Sequence, residues 1–268
     1  MHDDQNRPGP LKRFLAASPD SVGKTVIVAT TVCLFASMVV AAAAVSLRPM
    51  QAANKLQDKQ INILEVAGLY QPGVDITEAF EAFEPQVLEL ETGTFAPQFD
   101  PKTFDDRAAA DDPATSVELT DDPAGIGRKA RFVNVYLLRN PNGALDKVIL
   151  PIHGYGLWST LYGFVALEPN GNDIFGLQFY EHAETPGLGA EVDNPRWKAL
   201  WRGKKLADDD GELQITVAKT PPPAGANYHV DGLAGATLTT RGVDNLVRFW
   251  MGEAGYRPFL DRLKAGDV

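Results

Sequence analysis

An α+β fold is predicted, with one N-terminal transmembrane helix followed by an exported domain that has a mainly antiparallel sheet and flanking helices. Three observations lead to it. Residues 25–47 run for 23 positions without a charge. Five strand-like runs separated by turn residues lie between 130 and 220. Near the end of the chain, Val243, Leu246, Val247 and Trp250 sit at i, i+3, i+4 and i+7, one face of an amphipathic helix.

The 268 residues can hold one large domain or two small ones, and 44% hydrophobic with 22% charged residues is an ordinary globular composition. The net charge of −10 is concentrated beyond Arg48, where 20 Lys and Arg face 32 Asp and Glu. So acidic a surface argues against nucleic acid as a partner. The single cysteine, Cys33, lies within the apolar run and cannot by itself supply a disulfide, a zinc site or an iron–sulfur cluster. His2, His153, His182 and His229 show no HExxH or closely paired spacing, so no metal site is expected. Redox chemistry, if present, must come from an organic cofactor or from partners.

The elements follow in chain order. Residues 1–24 form a polar tail and 25–47 the transmembrane helix, since about 20 apolar residues at 1.5 Å per residue cross the hydrocarbon core. Lys24 and Arg48 bracket the span. The basic residues before it (Arg7, Lys12, Arg13, Lys24) slightly outnumber those just after it (Arg48, Lys55, Lys59), which favours a cytoplasmic N-terminus and a periplasmic domain. A cleaved signal peptide ending at the small residues Ala42 to Ala44 is the rival reading, although signal cores are usually about 7–15 residues long.

Residues 48–103 read as a juxtamembrane helical region. A helix carrying Leu56, Ile61, Ile63, Leu64 and Ala67 ends near Gly68, and a second carries Thr77, Phe80, Phe83 and Val87. Residues 104–129, with three Asp-Asp pairs and few large apolar side chains, read as an acidic loop or insertion. Residues 130–268 form the main domain, with strands over 130–138, 145–154, 161–169, 173–182 and 213–220. The closing helix ends near Gly252, and Thr239 or Thr240 is its natural N-cap.

The stretch "DGLAGATLTT", Asp231 to Thr240, therefore enters that helix with three threonines and almost no bulk. A plain capping loop is one reading. A ligand site is the other, because small residues admit a ligand to the backbone and a helix N-terminus favours phosphate. A threonine hydroxyl there could itself be esterified. Two further segments lack bulk or are rich in glycine and aromatics: "YEHAETPGLGAEVDNPRW" (180–197) and "IHGYGLWSTLYGF" (152–164).

Taken with "LRPMQAANK" after the membrane helix and "DGLAGATLTTRGVDNLVRFW", these motifs run in matching order over nearly the whole chain. Together they resemble the C subunit of the bacterial Na(+)-translocating NADH:quinone oxidoreductase. That resemblance implies one covalent FMN per chain, joined by its phosphate to the last threonine of an Asp-x-x-Ser/Thr-Gly-Ala-Thr motif by a flavin transferase. Here that threonine is Thr237, with Asp231, Gly235, Ala236 and Leu238 around it; Thr239 and Thr240 are the fallback acceptors. Ala234 departs from the pattern, standing where the family usually has serine or threonine.

The resemblance also implies a relay of single electrons between an iron–sulfur centre and another FMN on sister membrane subunits. No nicotinamide site or ion pathway is evident in this chain, and its catalytic residues are accordingly none. With the flavin tethered, Thr185, Gly187 and Leu188 are expected to cover its ring. Glu184 and Glu181 either bias flavin protonation or are plain surface charges. Tyr155, Trp158 and Tyr180 are expected to pack in the core, with stacking on the ring as the alternative. The flavin-carrying G subunit of the related Rnf-type electron-transport complex is the nearest alternative family. An exported, non-redox interaction module whose threonines only cap a helix is the alternative of a different class.

Overall fold

The computed structural model describes residues 21–221 and 225–268, with positions 9, 12, 14, 16 and 18 ahead of them. Most of the expected tail, 1–24, thus lies outside the described residues. The chain divides into two compact units, Met1–Leu56 and Gln57–Val268.

Helix α1, Val22–Val66, is long and apolar enough in its first part to cross a membrane. Within the apolar run the hydroxyls of Thr25, Thr31 and Ser46 donate to carbonyls three or four residues earlier, so these polar groups are satisfied inside the helix. The separate juxtamembrane helix expected from the spacing is corrected: α1 runs on through Pro49 without a break.

In the second unit, six strands form one antiparallel sheet. They are β1 (Phe83–Glu89), β2 (Thr94–Phe95), β5 (Phe132–Arg139), β6 (Leu145–Tyr155), β7 (Thr160–Leu167) and β8 (Ile174–Glu181). Their order across the sheet is β2-β1-β5-β6-β7-β8, and a short helix, α4 (Pro195–Ala199), follows β8 in the chain. Side chains alternate across the sheet and build two cores. Val133, Val135, Leu137, Val148, Leu150 and Ile152 face one core, shared with α5 (Thr237–Met251) and α6 (Arg257–Ala265). Tyr136, Leu138, Ile149, Phe164 and Ala166 face the other, shared with Ile63, Leu64 and Val66 at the end of α1.

Three further expectations are corrected. The second helix keeps only Ile76–Phe80 (α2); Phe83 and Val87 lie in β1, paired with Leu138 and Asn134 of β5. A spacing of four satisfies a strand face as well as a helix face, and the open edge of β5 decides the matter. The acidic stretch 104–129 carries structure: α3 (Asp106–Asp111), then β3 (Ser116–Glu118) paired antiparallel with β4 (Arg128–Ala130). Its Asp105 caps α3 by accepting from the Arg107 and Ala108 amides. The strand expected over 213–220 shortens to β9 (Thr216–Ala218), which pairs in parallel with β10 (His229–Asp231) outside the main sheet.

Helix α5 is fixed to this frame from both sides. The Trp250 indole N–H donates to the His153 carbonyl at 2.6 Å, Asp244 accepts from the Val217 amide at 2.7 Å, and Arg248 donates to the Ile215 carbonyl. The His153 ring lies 4.9 Å from that of Trp250 and 5.5 Å from that of Tyr162. Burial, then the Arg107 charge, push its pKa down to about 4, against an opposing pull from Asp122.

The unfolded chain therefore binds a proton at His153 in the window from the ordinary 6.5 down to about 4, where the folded chain does not. Stability carried by this residue is present above that window and is lost as pH falls through it. Urea unfolding of wild type and His153→Gln at pH 5 and 7.5 tests this: the wild type is expected to lose more stability on acidification than the variant.

Candidate functional site

The first turn of α5 is the starting point. Helix geometry leaves the Thr237, Leu238 and Thr239 amides without an intrahelical acceptor, and the N-cap residue, Ala236, offers no side-chain bond. The N-cap role expected for Thr239 or Thr240 is corrected, because other partners hold both hydroxyls. Thr239 Oγ1 donates to Glu184 Oε2 at 2.6 Å, and Thr240 Oγ1 accepts from the Leu233 amide at 2.9 Å. Both residues are buried. Thr237 differs: it is exposed, and its hydroxyl has no hydrogen-bond partner among the described residues.

Asp231 opens the loop from the end of β10, where its carbonyl accepts from the Trp197 indole at 2.8 Å. Its exposed carboxylate meets the buried His229 ring, with Nε2 3.1 Å from Oδ1. Leu233 and Ala236 are buried in the core, which pins the loop down, while Ala234 and Gly235 face outward. The hydroxyl missing at Ala234 would thus lie at the surface.

The second half of the site comes from the loop after β8. The Thr185 carbonyl accepts from the Leu188 and Ala190 amides, and Gly187, inside the turn from Thr185 to Leu188, takes a positive φ of 73°. This turn projects Leu188 over the threonine loop, since a Cβ built on Gly235 would lie 3.2 Å from Leu188 Cδ2. Gly189 is required by close approach: a Cβ there would lie 2.5 Å from Glu184 Oε2 and 2.6 Å from Thr239 Oγ1.

Glu184 is no surface charge, which corrects one of the two expectations for it. It is 5% exposed. Its Oε1 accepts from the Leu157, Trp158 and Ser159 amides at 3.0, 2.9 and 3.4 Å, while Oε2 holds Thr239. Burial pushes its pKa up, but the Thr239 hydroxyl and the three amides outweigh it and hold the carboxyl below its ordinary value. Glu181 stays at the surface, paired with Arg107 at 2.9 Å.

Aromatic placement also differs in part from expectation. Tyr180 packs as expected, 5.0 Å from the Phe164 ring. Tyr155 and Trp158 do not: they are 49% and 65% exposed. With Leu188 at 45% and Leu238 at 51%, they are the four most exposed large apolar side chains among the described residues beyond α1. All four sit on segments that gather around the first two turns of α5: Leu238 follows Thr237, Leu188 overlies Gly235, the Trp158 backbone amide is bonded to Glu184, and the Tyr155 carbonyl abuts Gly242 in the second turn. The glycine and aromatic density of 152–164 is the sequence signal for this collar.

Open amides, one free hydroxyl and an apolar collar suit a phosphate ester that carries a planar aromatic group. Comparison with known proteins agrees. Residues 156–252 match the family model described as an FMN-binding domain. Over 261 residues, 94% of this chain and all of the relative, the chain is 49% identical to the C subunit of the Na(+)-translocating NADH-quinone reductase of Pseudomonas aeruginosa. It is 46% identical to the corresponding C subunit from Neisseria meningitidis serogroup B, over 92% of this chain and 96% of that one. The crystal structure of Shewanella oneidensis NqrC superposes with a TM-score of 0.74 at 37% identity, covering 80% of this chain and 99% of that one.

Proposed function

The chain belongs to the C-subunit family of the Na(+)-translocating NADH-quinone reductases and carries its FMN-binding domain, and on that premise we propose that it holds one FMN covalently, as a phosphoester on Thr237. The single observation that carries this reading is the state of the three threonines. Two hydroxyls are buried and engaged, and only that of Thr237 is exposed and free. The fallback acceptors Thr239 and Thr240 fall away on the same ground.

Each remaining residue has a task in this reading. The first-turn amides and helix dipole stabilise the phosphate. Asp231 anchors the loop entrance, Gly235 and Ala236 keep it free of bulk, and Leu238 and Leu188 shield the ring. Thr185 and Gly187 form the turn that carries Leu188, and Glu184 ties that turn to α5. Bound FMN supplies one-electron transfer, and the protein orients it and tunes its potential.

We place this relay between an iron–sulfur centre and a second FMN of sister subunits, with residues 130–268 as the periplasmic flavin domain behind the acidic segment 104–129 and the juxtamembrane region 48–103. Residues 25–47 anchor it in the lipid of the inner membrane, with residues 1–24 cytoplasmic. A flavin transferase forms the Oγ–P bond during maturation from a flavin donor whose phosphate is activated as a phosphoanhydride: Thr237 Oγ1 attacks the phosphorus next to the flavin, the P–O bond of the anhydride breaks to release the other phosphate half, and the hydroxyl proton passes to a base of the transferase. The test is in-gel flavin fluorescence of the denatured chain, produced with and without an active transferase. Fluorescence only with the transferase supports the reading, and a dark band in both samples contradicts it.

A further inference from the structure

Resting on the attachment proposed above, we propose that Glu184 is the positioning residue of the flavin site, fixing Trp158, Leu188 and Thr237 relative to one another and placing one permanent negative charge at the root of the attachment loop.

Three chain segments, far apart in sequence, converge on this one carboxylate. Oε1 gathers the amides of the β6–β7 turn, which carries Trp158. Oε2 takes the Thr239 hydroxyl, two residues from Thr237. The Glu184 main chain leads into the turn that projects Leu188, and its amide donates to His182 Nδ1 at 3.2 Å. The neighbouring Ala183 amide donates to Ser159 Oγ at 2.7 Å, a second tie between the same two segments. Bulk is absent wherever it would break the grip: a Cβ on Gly156 would lie 2.6 Å from Oε1, and one on Gly189 2.5 Å from Oε2.

Tying loops together does not itself require a charge. A buried ionised group often stabilises a fold no better than apolar residues of similar volume. A charge retained beside an electron carrier has a functional consequence, however. It makes addition of an electron to that carrier less favourable by Coulomb repulsion, and more so where water is excluded. Glu184 thus lowers the reduction potential of the attached flavin while holding its surroundings in place.

The experiment uses the full-length chain in its assembled complex, matured with the transferase. Attachment is followed by peptide mass spectrometry, and the flavin potential by spectroelectrochemical titration. E184Q keeps an acceptor for the three amides and removes the charge, so the flavin is expected on Thr237 at a more positive potential than in the parent. T239V removes only the link to α5 and leaves Glu184 on its three amides. Its rate of attachment is expected to fall about ten- to hundredfold, the worth of one charge-assisted hydrogen bond, with recovery in T239S. E184Q at the parent potential, or T239V with parent attachment kinetics, overturns the role given to Glu184. A parent chain that carries no flavin on Thr237 overturns the attachment reading itself, and is scored before the variants are compared.

Discussion

Thr237→Val is expected to leave the chain folded and without covalent flavin. Valine keeps the β-branched shape of threonine and lacks only the oxygen. The side chain is exposed at the first helical position, and its hydroxyl has no partner among the described residues. Stability should therefore stay within about 0.5 kcal/mol of the parent, as for most surface substitutions. Attachment, in contrast, should fall to nothing, because no other open hydroxyl lies in the loop. Thr237→Ser, which restores an oxygen, should recover part of it. Thr240→Val provides the contrast: it orphans the Leu233 amide and should cost about 1–3 kcal/mol, the penalty of a buried donor left unpaired. Flavin absorbance per chain, measured beside a chemical unfolding curve for each variant, separates the two behaviours. Equal loss of flavin in the Thr237→Val and Thr240→Val variants, with equal loss of stability, would mean that Thr237 acts only through the fold.

Gly189→Ala should strike the junction at Glu184 directly. The added carbon would sit 2.5 Å from a Glu184 carboxylate oxygen and 2.6 Å from the Thr239 hydroxyl, with the Glu184 Cβ at 3.0 Å on the same side. The loop must move or the Glu184–Thr239 bond must open. Overpacking costs about 1–3 kcal/mol, and a lost bond to a buried carboxylate about 1.5–3 kcal/mol. A fall of about 2.5–6 kcal/mol in unfolding free energy is expected from the two together, along with slower flavin attachment. Gly187→Ala tests a different demand. Gly187 has open space around its Cβ position but a φ of 73°, so the strain there is in the backbone and its effect should be smaller, about 1–2 kcal/mol. Parent-like stability in Gly189→Ala would show that the loop relaxes freely and that the three-segment junction is not a fixed feature.

The parts of this molecule that are legible in the sequence are those built by periodicity. The spacing of Val243, Leu246, Val247 and Trp250 identifies α5 because those four side chains are the buried face of the helix. The strands of the sheet are legible because apolar runs bounded by turn residues have few other uses. Phe83 and Val87 mislead because four-residue spacing fits both periods, and the deciding contact, with β5, lies about 50 positions away. The loop elements of 104–129 escape because α3 and the β3–β4 hairpin bury small residues, such as Ala109, Ser116 and Ala124, that leave no periodic trace.

The site shows the same division. The residues with family-specific identity, Asp231 and the Gly-Ala-Thr that follows, can be located from the motif alone. The environment of Glu184 cannot: in a chain this acidic a glutamate reads as solvated, and only the fold brings three amides and a hydroxyl around it. Trp158 is expected inside because tryptophan usually is. Its exposure follows from its place at the tip of a hairpin turn whose amides point inward to Glu184. The assignment of Thr237 over Thr239 and Thr240 gains a physical reason from hydrogen-bond partners no sequence displays.

The most direct test of the account is peptide mass spectrometry on the chain isolated from its own membranes, reading the fragment that spans Asp231 to Thr240. The account predicts that this peptide carries the mass of one FMN residue, with fragmentation placing it on Thr237. The same peptide at its unmodified mass, from cells with demonstrated transferase activity, or with the flavin on Thr239 or Thr240, would contradict it.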